Sequence, residues 1–223
     1  MTDNAARWER FLDPEVVRPS LFLATMFITT FEILKDSVID RIRDFYTNEW
    51  SASGSVVGPE YQIEVLAKNK SPLYASLKWL QEHEAIDEAD LQTFESLKST
   101  RNLLAHQLFN VVTGQVDSPH QAQFTELVSL LRKIETWWVV NVEIPVNPEF
   151  DGQEIDESGI VPGAILSLQM LIEVASGNTE LLEQWRKTRP SGRAEASYLE
   201  PAKSTTVNNA GVDQAGRDDA GEA

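Results

Sequence analysis

Ser96-Leu97-Lys98-Ser99-Thr100-Arg101-Asn102-Leu103-Leu104-Ala105-His106-Gln107-Leu108-Phe109 is the stretch around which the rest of the chain is arranged. Its apolar residues Leu97, Leu104 and Leu108, with Leu91 and Phe94 before them, recur at helical spacing. Asp87 is placed to cap the start of that helix, which runs to about Asn110, and Thr113-Gly114 is placed to close it. Within the helix, Arg101, Asn102 and His106 form the pattern R-N-x-x-x-H. Asn102 and His106 are four positions apart and share a face. Arg101 and His106 are five apart, so on an ideal helix their side chains leave the axis about 140° from each other. One helix does not easily close both groups onto one substrate atom; two facing copies of it can. An arginine and a histidine on a long helix also have an ordinary reading, as a solvated charge and a satisfied imidazole.

The neighbouring segments read as further helices. Asp13-Pro14 supplies a cap and a first-turn proline. Phe31, Leu34, Val38, Ile42 and Phe45 then follow at spacings of three and four. Between Leu21 and Ile28 the same helix is apolar nearly all round, which asks for cover on both sides. Ser71-Pro72 and Ser118-Pro119 carry a similar start signal. The first opens a helix with the stripe Leu73, Leu77 and Leu80. The second opens one with Phe124, Leu127, Leu131, Ile134 and Trp138. Trp137 and Trp138 are read as core rather than as a platform for stacked bases. A last helix begins near Pro162, with Ile165, Leu168, Leu171, Ile172 and Ala175 on its inner face.

Residues 1–13 read as a polar lead-in, Ser51 to Gly58 as a loop and Glu143 to Gly163 as an acidic loop. A short helical segment is expected over Glu60 to Lys68. Residues 188–223, rich in Gly, Ser, Asn, Ala and Asp, read as a disordered tail. No strand-like alternation stands out. The expected fold is therefore all-α, an up-and-down bundle of about five helices over residues 14–187.

Composition narrows function. The chain has 223 residues, 42% of them hydrophobic, enough for one sizeable core. It has no cysteine, which removes disulfides, thiolate metal sites and cysteine nucleophiles. The formal net charge of −16 opposes indiscriminate binding to nucleic acid. No secretory signal is read at the N-terminus, and the apolar run Leu21 to Leu34 is interrupted by Glu32 and short for a bilayer. The expectation is a soluble cytoplasmic protein. No metal site or cofactor is expected: His83, His106 and His120 lack ligand spacing, and the acidic loop does not match a calcium loop. His83 reads as a helix-end residue and His120 as exposed.

The motif Arg101, Asn102 and His106, set late in a bundle helix, resembles the marker of the HEPN family, helical domains of prokaryotic defence and toxin systems. The resemblance covers the bundle in architecture and is specific over about ten residues. It implies a dimer with the motif helices facing each other, and a metal-independent ribonuclease with a site shared between subunits. His106 would serve as general base or acid at the ribose 2′-hydroxyl or the leaving 5′-oxygen, a task suited to imidazole. Arg101 would hold the scissile phosphate and stabilise the charge of the transition state. Asn102 would orient the imidazole or the phosphate. Lys98 is the candidate substrate-binding residue; against the acidic body, RNA binding requires Arg101 and Lys98, with Lys68 and Lys70, to gather into a local basic cleft. Some relatives carry a tyrosine two positions after the histidine, modified by a partner nucleotidyltransferase; here that position is Leu108.

Two other functions fit the same residues. One is a non-catalytic interaction module, in which the motif is an interface network and the acidic body meets a protein partner such as an antitoxin. The other is a nucleotide-binding sensor that uses Arg101 for phosphate without cutting.

Overall fold

A computed structural model describes residues 2–51 and 54–188. Among them the chain forms seven α-helices, α1 (Thr2–Leu12), α2 (Pro14–Phe45), α3 (Pro72–Glu82), α4 (Glu88–Val112), α5 (His120–Trp138), α6 (Gly163–Ala175) and α7 (Glu180–Thr188). The chain is thus mostly helical, as expected, with more helices than the five anticipated. The body ends at Leu181, and the segment beyond it is described only over the remainder of α7. Apart from Thr188, the expected disordered tail lies outside the described residues.

The 32-residue α2 is the axis of the bundle and packs on α3, α4 and α5. Its start is local chemistry: the Asp13 side chain accepts from the Glu15 amide at 2.9 Å, and Pro14 occupies the first turn. Phe27, Phe31, Leu34, Val38 and Ile42 are buried along it. Against them lie Phe94, Leu97 and Leu104 of α4 and Leu127, Leu131 and Ile134 of α5. Phe31 and Phe94 meet with ring centroids 5.5 Å apart. At the other end of the core Trp79 stacks on Trp138 at 5.8 Å and donates to the Tyr46 hydroxyl at 3.1 Å. Trp138 is buried, in keeping with its reading as core.

By length and composition, Pro14–Phe45 and Glu157–Ala175 could each cross a membrane. The apolar run of α2 is therefore not too short once the whole helix is counted. In the structure α2 serves as the central packing element, yet of its most apolar stretch, Leu21 to Ile28, only Ala24, Met26 and Phe27 are buried, and Leu21 is exposed.

Three segments depart from expectation. The lead-in is helical, and α1 packs on α2. The segment read as a loop belongs to an antiparallel hairpin, β1 (Thr47–Ser51) and β2 (Gly54–Val57), with Trp50 opposite Ser55. Its strands are too short and polar to show alternation. The Glu60 to Lys68 segment is helical, but as a π turn (Tyr61–Val65) followed by a 3-10 turn (Leu66–Lys68).

Candidate functional site on α4

The start of α4 is a reciprocal cap. Asp87 Oδ1 accepts from the Asp90 amide at 3.0 Å, and Asp90 Oδ2 accepts from the Asp87 amide at 2.8 Å. This cap and the apolar stripe set the helix rotation. Leu97, Thr100 and Leu104 are buried, which turns Asn102, Ala105 and His106 outward to solvent. Thr100 is held by Gln123 of α5, donating to its Oε1 at 2.7 Å; Gln123 in turn donates to Ser96 Oγ at 2.7 Å. The backbone leaves helical geometry at Gln107 (φ −132°, ψ 25°). His106 therefore closes the regular part of α4, and Phe109 beyond it packs edge-on against Phe11 of α1 at 5.4 Å.

Arg101 sits at the boundary between the buried and exposed sides and is half-buried. Its guanidinium reaches α2, where Nε donates to Glu32 Oε1 at 2.8 Å and Nη2 donates to the same oxygen. Nη1 donates to Asn102 Oδ1 at 3.3 Å. Lys35 also donates to Glu32. Burial opposes ionisation of Glu32, yet the hydrogen bonds and charges of Lys35 and Arg101 outweigh it and hold its pKa below the ordinary glutamate value.

Lys98 lies one turn before Arg101 and donates to the Tyr74 hydroxyl of α3. Its ammonium is 4.6 Å from the Tyr74 ring centroid. The bond to Tyr74 raises the lysine pKa, which keeps it charged. Lys68, read from the sequence as a further cation for this site, is engaged by Glu82 instead.

The structure thus brings Arg101 to Asn102 and places Asn102 and His106 on one open face. It does not bring Arg101 and His106 together within one chain. None of the described cavities includes either residue, so the site is an exposed helix face. Among the described residues, no group of three or more His, Asp or Glu side chains is placed to hold a metal ion. Glu32 and Tyr74 were missed as members of the site. Glu32 had a signal: a carboxylate inside an apolar run needs a cationic partner from another element.

The sequence reading of His120 as exposed is corrected. It is 8% exposed at the start of α5, in the wall of a cavity it shares with Arg10 of α1 and with Gly114, Val116 and Ser118 of the α4–α5 connection. His83 is at the end of α3, as read, with Nδ1 2.8 Å from the Trp79 carbonyl oxygen and its ring stacked on Trp79.

Comparison with protein-family models, with curated proteins and with solved structures finds no match for this chain.

Proposed function

We propose that this chain is a cytoplasmic, metal-independent RNA endonuclease of HEPN type, built on an up-and-down bundle and acting as a homodimer in defence or toxin–antitoxin biology. The observation that carries the reading is the arrangement on α4. Asn102 and His106 share its exposed face, the small Ala105 lies between them, and the Arg101 guanidinium stands at the edge of that face.

Such a face is incomplete as an active site in a single copy, since Arg101 and His106 diverge by about 140° around a regular helix. Two copies meeting along α4 would set Arg101 of one beside His106 of the other. One imidazole would take the 2′-hydroxyl proton and the second would protonate the leaving 5′-oxygen. The guanidinium would stabilise charge on the phosphorane. Lys98, held one turn away by Tyr74, would add attraction for the RNA backbone.

A second reading has its own observation. Arg101 is committed to Glu32, which favours a structural role for the motif in a non-catalytic interaction module.

The deciding experiment is cleavage of labelled mixed-sequence RNA by the purified protein in excess EDTA, beside His106→Ala and Arg101→Ala. Loss of cleavage in both variants, with 2′,3′-cyclic phosphate ends from the wild type, establishes the enzyme. A folded dimer that leaves RNA intact moves the assignment to the interaction module. Equal cleavage by wild type and His106→Ala removes His106 from the chemistry.

A further inference from the structure

A cavity of about 380 Å³ lies away from the α4 motif, where α1, α2 and the start of α5 meet. Arg10 of α1, Ser20 of α2 and His120 and Gln121 of α5 line it, together with Gly114 and Ser118 of the α4–α5 connection. Arg10 has no hydrogen bond or ion pair among the described residues, unlike Arg41, Arg101 and Lys133, which carboxylates hold. Its head lies over Gly114. A Cβ on that glycine would stand 3.0 Å from Arg10 Nη1 and 3.2 Å from Cζ, so the close approach depends on the missing side chain. Gly114 also has φ +71°, the left-handed conformation that lets α4 end there.

His120 contributes the second polar group. It is 8% exposed, and a 3.0 Å hydrogen bond joins its Nδ1 to Ser118 Oγ. That bond fixes the ring, and Nε2 has no described partner. The third contribution is backbone. No side chain caps α5, and its first amides lack intrahelical acceptors. Leu23, Val111 and Val116 give the cavity an apolar wall, and Asp117 and Gln121 offer polar groups beside it.

We propose that this cavity binds a small phosphomonoester, a sugar phosphate or nucleoside monophosphate. The phosphate would lie between the Arg10 guanidinium, His120 Nε2 and the first amides of α5. An arginine fork, a ring N–H and helix-terminal amides together suit the several acceptor oxygens of a phosphate. The carboxylate of Asp117 and the amide of Gln121 would meet hydroxyl or amino groups on the rest of the molecule. The volume is toward the small end of ligand cavities, which run to roughly 300–1,000 Å³, and excludes a dinucleotide. The assignment is independent of whether the α4 face cuts RNA.

The test is calorimetric titration of the full chain with adenosine 5′-monophosphate, ribose 5-phosphate and inorganic phosphate, with adenosine and ribose as phosphate-free controls. The expected result is binding of the phosphorylated probes, with adenosine weaker than its monophosphate by about tenfold or more. Arg10→Gln keeps a polar side chain but shortens it and removes the charge; it should weaken the monophosphate by about tenfold. Arg10 is exposed on α1, and circular dichroism checks that the variant retains its helices. His120→Gln serves as a second variant with the same expected direction. Equal affinity for adenosine and its monophosphate, undiminished binding in both variants, or no binding of any phosphorylated probe at millimolar concentration overturns the proposal.

Discussion

Arg101 and Glu32, separated by 69 positions, are joined across α4 and α2 by two hydrogen bonds to a single carboxylate oxygen, the longer of them Nε–Oε1 at 2.8 Å. The pair occupies the one motif side chain best suited to phosphate. It sets up a competition: an RNA phosphate must displace Glu32 or share the guanidinium with it.

Glu32→Gln is therefore expected to tighten RNA binding, provided Arg101 contacts RNA. Both side chains are about one-third exposed, so the stability change should stay within about 1 kcal/mol. Fluorescence anisotropy with a labelled RNA oligonucleotide, across a range of salt, reads the effect. Unchanged or weaker binding would argue that Arg101 has a structural task only. Acid should act in the same direction. The folded carboxyl ionises below the ordinary glutamate value, so the pair contributes fully above that value and is lost as pH falls through the lower folded one.

Arg41 of α2 donates to Glu135 at 2.6 Å and to Glu143 at 2.7 Å, and the Glu135 side chain is 1% exposed. Burial works against the Arg41 charge, but the hydrogen bonds and charges of the two carboxylates outweigh it and raise its pKa. Arg41→Ala leaves a buried carboxylate without its partner and should cost about 3–5 kcal/mol. The double variant Arg41→Met with Glu135→Leu should recover most of that loss, because an apolar pair avoids the desolvation cost. Urea midpoints of the three proteins compare directly. A double variant no more stable than Arg41→Ala contradicts this account.

Glu84, two residues past the last residue of α3, has φ 59°, a left-handed conformation unfavourable to a side chain with a Cβ. The amide of Ala85 donates back to the Leu80 carbonyl at 2.9 Å, and that of Glu84 to Gln81 at 3.1 Å. These bonds require the left-handed residue. Glu84→Gly should raise stability by about 1 kcal/mol, read as an upward shift in thermal midpoint. A lower midpoint would mean that the Glu84 side chain contributes more than its strain costs.

Burial pushes the His120 pKa below its ordinary value, with hydrogen bonding to Ser118 only partly offsetting it. The folded state thus binds this proton less readily than the unfolded chain. Its contribution is complete above the ordinary histidine pKa and is lost as pH falls through the lower folded value. Arg10 of α1 and Asp117 of the α4–α5 connection are the charged groups sharing its cavity; α2 and α4 add only uncharged side chains there. Sulfate keeps its charge across this range. It should stabilise the protein more at acid pH, below the ordinary histidine value, than at pH 8. His120→Gln should remove that difference. Thermal midpoints with and without sulfate decide it, and equal protection at both pH values counts against His120 as a ligand.

The legible parts of this molecule rest on local chemistry. Asp13-Pro14 and Asp87 mark helix starts because their caps involve residues two or three positions away. Leu97 and Leu104 announce a buried stripe because helical periodicity is written in neighbouring residues. The same periodicity turns Asn102 and His106 outward together. Other features had no comparable signal. The Thr47–Ser51 and Gly54–Val57 hairpin is short and lacks alternation, and buried His120 lies in a cavity wall to which α1, α2, α4 and the α4–α5 connection also contribute.

The sequence by itself determined the starts of α2 and α4 with their aspartate caps, the buried stripe of α4 and the outward pairing of Asn102 with His106. Each follows from interactions within a turn or two of helix. Only the tertiary structure decided that Arg101 meets Glu32, that Glu135 is buried against Arg41, and that Arg10 and His120 share a cavity. Those meetings depend on how far each helix is rotated and advanced against its neighbours. That rotation and advance is set by the summed packing of the core around α2, not by any one stretch of the chain.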